Sequence, residues 1–136
     1  MLIPRIVRTG PEKIFSSCKN GEASATMSDG EFVEFDTATT AAHGSQVIKT
    51  VGLSLKPAGF VSGKDIPPGD FGLVQCYGFH PNAKTTAAAL AAGTILTSDA
   101  AAAVVAGAIG DDPAARIGVC LKLGVANRAG VFVRLV

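Results

Sequence analysis

The sequence predicts a mainly β protein, a small β-barrel or sandwich with an extended N-terminal arm and at most one or two short helices. The second half of the chain repeats one pattern, in which a turn signal precedes a short apolar run that alternates or is β-branched. Closely spaced strands of small barrels and sandwiches have this pattern. The four turn signals are Pro67-Pro68-Gly69-Asp70, Ala91-Ala92-Gly93-Thr94, Ala115-Arg116 and Ala129-Gly130.

The N-terminal residues 1–13 are predicted to form the extended arm. Pro4 and Pro11 disfavour a helix in this segment. Ile14–Cys18 is a strand candidate, and Lys19-Asn20-Gly21 is predicted to end it, because Asn and Gly both tolerate the positive φ of a tight turn.

Turn and breaker signals divide the middle of the chain. Ser28-Asp29-Gly30 predicts a turn that leads into a strand over Glu31–Phe35. Gln46–Leu55 is rich in Val, Ile, Leu and Thr and predicts another strand. Lys56–Asp70 is so rich in proline and glycine that we expect an irregular crossover or surface loop there.

Three later segments alternate between two sets of side chains: Phe71–Tyr77, Ile117–Leu123 and Val131–Val136. Successive side chains of a strand point to opposite faces, so a period of two places one face on a core. The alternation over Ile117–Leu123 is the most regular in the chain, and it places Ile117 and Val119 on the same face.

Two alanine-rich runs fit more than one structure. Thr85–Ala92 fits one or two helical turns that Gly93 closes with a left-handed residue. Asp99–Ala106 fits a short helix, because alanine favours helices. It also fits the return strand of a hairpin with its turn at Ser98-Asp99, and the β-branched pair Val104-Val105 favours this hairpin.

Length and composition restrict the class of protein. The 136 residues suit one domain, which we place at 14–136 with its most regular part at 66–136. Aromatic residues make up 6% of the chain and much of the apolar 48% is alanine, so large core anchors are few and self-association would add stability. A formal net charge of +1 argues against binding to nucleic acid. Neither a signal peptide nor a membrane-spanning apolar segment is recognisable.

Cysteine, histidine and aspartate residues do not form a recognisable reactive site. Cys18, Cys76 and Cys120 are odd in number and far apart, so we expect buried thiols rather than a disulfide framework. Cys76 and His80 would suit a nucleophile pair or part of a metal site, but four residues of strand separate them by about 13 Å. Asp111-Asp112-Pro113 lacks the alternating oxygen donors of a calcium loop and predicts a turn. We therefore predict no catalytic residues, no cofactor and no metal.

Four motifs follow one another in the C-terminal half. Gly69-Asp70 opens a strand, Ala91–Leu96 begins a hairpin, Ile117-Gly118-Val119 lies within a strand, and Ala129–Leu135 forms the last one. In this order they resemble the motifs of the small capsid decoration, or cement, proteins of tailed bacteriophages, which are small β-barrels. The resemblance covers about 66–136, so the barrel is expected in this half.

The resemblance implies a structural virion protein, made in the host cytoplasm, that binds the outer capsid surface and fastens neighbouring capsid subunits. It implies the major capsid protein as partner and a homo-oligomer, with a trimer favoured, and neither nucleic acid nor membrane as partner. The N-terminal arm suits such contacts, because an extended segment can add to the edge of a neighbouring sheet. The candidate capsid contacts are Leu2, Ile3, Pro4, Arg5, Ile6 and Arg8.

Two other functions fit the sequence less well. The C-terminal half could be a β-barrel module that binds carbohydrate or peptide ligands, with Tyr77, Phe79 and His80 at its rim. Alternatively, a small enzyme could use the thiol of Cys76 or Cys120.

Overall fold

The computed structural model describes residues 12–38, 45–86, 90–107 and 112–135, and only the backbone of 123–125. This part of the chain contains nine strands and one turn of 3₁₀ helix, Pro113–Ala115. The prediction of a mainly β fold with at most one or two short helices is confirmed. The strands are β1 (Ile14–Asn20), β2 (Phe32–Phe35), β3 (Gln46–Lys49), β4 (Pro57–Val61), β5 (Phe71–Lys84), β6 (Ile95–Asp99), β7 (Ala103–Ala106), β8 (Arg116–Val125) and β9 (Arg128–Arg134).

The first five strands close into a barrel. Their order is β1-β3-β2-β4-β5, and β5 pairs back onto β1. The closing pair is antiparallel and runs from Ile14 opposite Tyr77 to Lys19 opposite Phe71. Because the sheet closes on itself, each barrel strand has a neighbour on both sides. The expectation that the barrel lies in the C-terminal half is therefore wrong: the barrel comes from the first half of the chain and the start of β5.

The C-terminal strands form an antiparallel sheet in the order β5-β9-β8-β6-β7. Strand β5 belongs to both parts, because it pairs with β1 up to Tyr77 and with β9 from Tyr77 to Lys84. Gly78 lies at this change of partner with φ of 105°, and a Cβ there would collide with the carbonyl oxygen of Glu12. Only glycine meets both conditions.

Buried apolar side chains form two clusters, and strands β2 and β4 contribute to both. Val33 and Val61 face the barrel interior, whereas Phe32 and Phe60 pack with the C-terminal sheet, their rings meeting edge to face at 5.0 Å. The barrel cluster comprises Cys18, Met27, Val33, Val47, Ala58, Val61, Ile66 and Val74. The second cluster comprises Phe32, Phe60, Ala83, Leu90, Leu96, Val104, Ile117, Cys120, Ala129, Val131 and Val133.

Strand β4 lies inside Lys56–Asp70, which the sequence predicted to be irregular. Pro57 is its first residue, a position where a missing N–H is tolerated. Gly59 has φ of 144° and lies against the backbone of Gln75, at a bulge in the pairing with β2. Conversely, Gln46–Leu55 was predicted as one strand but is a strand only to Lys49.

At the end of β1 a side chain replaces the predicted tight turn. Lys19 and Asn20 continue the strand, and neither Asn20 nor Gly21 has positive φ. The Asn20 side chain accepts a hydrogen bond from the Glu22 N–H (2.8 Å) and donates one to the Ile66 carbonyl oxygen (2.7 Å). The side-chain amide thereby redirects the chain without a residue of positive φ.

The second alanine-rich run forms the hairpin that was favoured over a helix. Asp99 pairs with Ala103, and the turn is Ala100–Ala102 rather than Ser98-Asp99. Ala101 and Ala102 have φ of 60° and 57°. Alanine is uncommon in this region, so no turn residue marks the position.

Two other turn predictions are tested only in part. Gly93 has the expected positive φ, 88°, but lies in a turn from Ala91 to Thr94, and residues 87–89 are outside the described chain. Asp112 accepts a hydrogen bond from the Ala114 N–H (2.9 Å) and so caps the 3₁₀ turn, in agreement with the predicted turn; Asp111 lies outside the described residues.

The most regular alternation in the sequence is interrupted in β8. Gly118 pairs with Leu96 and Arg116 with Thr97, so Ile117 is an extra residue of a β-bulge. Ile117 and Cys120 are both fully buried, whereas Leu121 is 50% exposed. The prediction that Ile117 and Val119 share a face is therefore wrong.

Candidate attachment surfaces

The N-terminal capsid-contact candidates, Leu2, Ile3, Pro4, Arg5, Ile6 and Arg8, lie outside the described residues, so they stay a prediction. The described chain begins beside the middle of β5. Ile14 and Arg134 both pair with Tyr77, and the Leu135 N–H donates to the Cys76 carbonyl oxygen at 3.0 Å. Both ends of the described chain therefore meet where the barrel joins the C-terminal sheet.

A polar cluster of Asp29, His80, Asn82 and Arg128 holds this junction. The Asn82 backbone N–H donates to His80 Nδ1 (3.2 Å), so the ring proton is on Nε2, which contacts the Val61 carbonyl oxygen at 3.2 Å and Asp29 Oδ1 at 3.4 Å. Arg128 donates to the backbone carbonyl oxygens of Asp29 (3.0 Å) and Asn82 (3.3 Å). These bonds tie the predicted turn at Ser28–Gly30 to β5 and β9.

The charge states of Asp29 and His80 follow from their surroundings. Burial lowers the pKa of His80, and the Asp29 carboxylate offsets this only in part. The pKa of Asp29 is lowered overall. Burial alone would raise this pKa, but hydrogen bonds from the Gly63 N–H (2.7 Å) and the Asn82 amide (3.2 Å), together with the nearby His80, outweigh the effect of burial. His80 is therefore neutral at pH 7, and its one lone pair is already engaged by Asn82. It is 2% exposed, so it does not lie at a ligand-binding rim as the alternative function required.

A buried carboxylate, Glu31, joins the same two regions. Its carboxylate accepts the Ser28 N–H at 2.7 Å and pairs with Lys49 (3.2 Å) and Lys84 (3.5 Å). Lys49 lies on barrel strand β3, and Lys84 lies at the end of β5 in the C-terminal sheet. The carboxylate therefore connects the barrel to the sheet.

The three thiols are free and buried, as predicted. Burial raises the pKa of Cys18, and the nearby Cys76 adds to the effect. A protonated, buried thiol is a poor nucleophile. The Cys76 thiol donates to the Ile14 carbonyl oxygen at 3.5 Å, while His80 bonds to Val61, so Cys76 and His80 do not form the nucleophile pair considered from the sequence.

Within the described ranges, no group of three or more His, Cys, Asp or Glu side chains is placed to hold a metal ion. The same part of the chain contains no helix with the length and apolar character needed to cross a membrane.

The outer face of the C-terminal sheet is partly exposed. On β9, Val131 and Val133 point into the core and Phe132 and Arg134 point outwards, in agreement with the predicted alternation. Phe132 pairs with Val119 on β8, and Val119 pairs with Ile95 on β6, so the three form a row across the strands. The cationic face is defined here by six residues: Tyr77, Ile95, Arg116, Val119, Phe132 and Arg134.

The cationic face contains a shallow pocket of about 340 Å³ that both arginines and Gly118 line. The Tyr77 ring meets Phe132 edge to face, with ring centres 5.2 Å apart. Neither Arg116 nor Arg134 makes an ion pair or a side-chain hydrogen bond with any residue that the structure describes. Register between strands brings these residues together, so no motif in the sequence could have identified the face.

A second exposed surface, the aliphatic segment, is defined by Val51, Leu53 and Leu55 between β3 and β4. Their exposed fractions are 84%, 53% and 58%. The polar residues Thr50 and Ser54, next to these side chains in the sequence, are buried. The Thr50 hydroxyl donates to the Asp99 carbonyl oxygen (3.1 Å), and the Ser54 N–H donates to Ser98 Oγ (2.8 Å). The hydroxyls thus fix the segment with its aliphatic side chains towards solvent, the reverse of the usual arrangement.

One comparison with known proteins shows the family of the chain. A family model described as phage cement protein matches residues 27–135. The resemblance drawn from 66–136 is therefore confirmed, and the match extends back to residue 27, through barrel strands β2 to β4. No curated protein sequence matches the chain significantly.

Among solved structures, the chain is similar to the crystal structure of the head fiber gp8.5 N base in bacteriophage phi29. The TM-score is 0.60 with 12% sequence identity, and the match covers 90% of this chain and 94% of that one. At this identity the similarity concerns the fold.

Proposed function

Because the chain belongs to the phage cement protein family, a family of capsid-associated structural proteins, we propose that it binds the outer surface of a phage capsid and fastens neighbouring capsid subunits. The observation that carries the proposal is the family match over residues 27–135. The partner is the major capsid protein, and the protein acts as a structural component of the virion rather than as an enzyme.

The described surface supports an adhesive role. The cationic face and the aliphatic segment lie on different strands and connections, and both leave apolar side chains exposed. Two contacts on one rigid body can each bind a different neighbour, and repetition over a lattice converts modest single affinities into firm attachment. A homo-oligomer, with a trimer favoured, would multiply these contacts further. The arm candidates at residues 2–6 and Arg8 would add an extended segment to a neighbouring sheet edge.

The test uses purified heads that lack this protein. We expect the protein to co-sediment with such heads at a saturable stoichiometry, and the decorated heads to withstand higher temperature before they release DNA. A shortened variant whose chain begins at Lys13 tests the arm. We expect it to bind heads more weakly, with an unchanged thermal midpoint of the isolated protein.

One control and one contradicting outcome define the result. The folded gp8.5 base of phage phi29 has a similar fold but only 12% sequence identity, so it should not compete with this protein for the heads. Failure of the intact protein to bind, together with unaltered head stability, would contradict the proposed function.

A carbohydrate- or peptide-binding module is the second candidate, because Tyr77 and Phe132 present paired aromatic rings on the exposed sheet face. Sugars stack on such rings. A glycan array read with the protein and with Tyr77→Ala tests it; binding that Tyr77→Ala abolishes would favour this candidate.

A further inference from the structure

We propose that the cationic face docks an acidic segment of the capsid subunit that also carries apolar side chains. This inference rests on the proposed function and names the surface and the partner chemistry for it. The juxtaposition that carries it is a pair of arginines, Arg116 and Arg134, that have no side-chain partner among the described residues and that line one pocket with the apolar row Ile95, Val119 and Phe132.

Charge determines the sign of the partner. Both arginines line one pocket, and among the residues that the structure describes no acidic side chain lines it with them. Guanidinium groups bind carboxylates through two parallel hydrogen bonds, which a lysine ammonium cannot do. A carboxylate on the partner therefore completes this site.

The floor determines the other half of the partner chemistry. Ile95 is 51% exposed at one end of a row that continues through Val119 to Phe132. The edge-to-face contact with Tyr77 holds the Phe132 ring in place. Arginine and aromatic residues around an apolar centre are the composition in which binding energy concentrates at protein interfaces. An aliphatic or aromatic partner side chain fits on this apolar row, next to the two arginines.

Other occupants fit the charges less well. A second copy that presented the same face would bring four guanidinium groups together in a two-fold contact. The N-terminal arm of a neighbouring copy carries Arg5 and Arg8, which have the same sign. Nucleic acid requires a wider field of cations, whereas the chain has a formal net charge of only +1.

The test measures binding to heads that lack this protein. Arg116→Glu and Arg134→Glu are made singly and together, and Lys64→Glu, an exposed lysine of the barrel, is the charge-matched control for each single variant. We expect the double variant to bind about 100-fold more weakly and Lys64→Glu to bind within about two-fold of the wild type. Raising NaCl from 50 to 500 mM should weaken wild-type binding and change that of the double variant little.

Each outcome decides one point. No binding by the wild type would remove the proposed function itself, whereas wild-type-like binding by the double variant would leave that function intact and overturn this inference. An equal loss of binding with Lys64→Glu would also overturn it. So would binding of glycans or of a single-stranded oligonucleotide that depends on the two arginines while head binding is unchanged. If the glutamate variants unfold below the wild-type midpoint, Arg116→Gln with Arg134→Gln replaces them, and retained binding in that pair would count against the proposal.

Discussion

The closed barrel and the open C-terminal sheet expose their strands to different surroundings. In the barrel, the start of β2 (Phe32 and Val33) and most of β4 are covered on both faces, by the barrel interior on one side and by the second cluster on the other. In the sheet, β9 buries Val131 and Val133 but leaves Phe132 and Arg134 on an uncovered face. Side chains covered on both sides can only stabilise the body. Side chains of a strand covered on one side remain available to a partner, so attachment is expected from the sheet more than from β2 or β4.

The largest effect on stability is expected at Phe32, a residue of a barrel strand whose ring packs with the C-terminal sheet. Phe32→Ala should lower the free energy of unfolding by about 3–5 kcal/mol, because Phe32 is fully buried against Phe60 in the second cluster. Phe35 lies on the same strand and is 39% exposed, so Phe35→Ala is the matched control and should cost less than about 1 kcal/mol. Urea denaturation followed by circular dichroism measures both. Equal losses would mean that burial of β2 on both faces does not determine its contribution.

The same difference explains which parts of the fold could be predicted from the sequence. In β9 one face is buried and one is free, so the sequence alternates and the strand was recognised. In β4 nearly every residue is buried and Pro57 and Gly59 interrupt the apolar run, so the strand was taken for a loop. An alternating pattern therefore predicts a strand that buries one face, and it does not identify strands that are covered on both faces.

The candidate site was less predictable than the fold. The outward direction of Phe132 and Arg134 follows from alternation along β9. Their proximity to Arg116 and Ile95 depends on register across three strands and on the bulge at Ile117. Neither register nor bulge leaves a signal in one sequence. His80 shows the same limit, because its burial depends on Asp29 and Val61, which are distant in the chain.

A smaller loss is expected at Gly118, where glycine lies against the backbone of a neighbouring strand of the sheet. A Cβ at Gly118 would collide with the Phe132 carbonyl oxygen on β9. Gly118→Ala should therefore push β8 and β9 apart and lower stability by about 1–3 kcal/mol. Gly52 has no atom within 4 Å of its Cβ position, and Gly52→Ala should be neutral or slightly stabilising. Thermal unfolding by calorimetry compares the two, and a neutral Gly118→Ala would show that the strands can separate without cost.

The junction between the two regions should make stability depend on pH. The pKa of His80 is lowered in the folded protein by burial, so the unfolded chain binds its proton at higher pH than the folded chain does. Stability from this group is complete above its ordinary pKa of 6.5 and is lost as pH falls from there towards the folded pKa. The lowered pKa of Asp29 acts in the same direction, but only below that group's ordinary value of 3.8.

His80→Gln separates these contributions. Its free energy of unfolding should change less between pH 7.5 and pH 5 than that of the wild type, because the proton that the unfolded wild type takes up in this range is absent. Denaturation midpoints at pH 7.5, 6 and 5 provide the measurement. Parallel pH profiles for the two proteins would assign the dependence to other groups.

The smallest effect is expected on the aliphatic segment of the barrel. Val51 is 84% exposed, and the segment is fixed by the buried hydroxyl groups of Thr50 and Ser54 rather than by its own aliphatic contacts. Val51→Ser should therefore change the free energy of unfolding by less than about 0.5 kcal/mol. Val47→Ser removes the same methyl groups from the barrel interior and should cost about 2–3 kcal/mol. A loss above about 1 kcal/mol for Val51→Ser that vanishes on dilution would mean that a second copy covers the segment in solution, since burial that depends on concentration cannot come from within one chain.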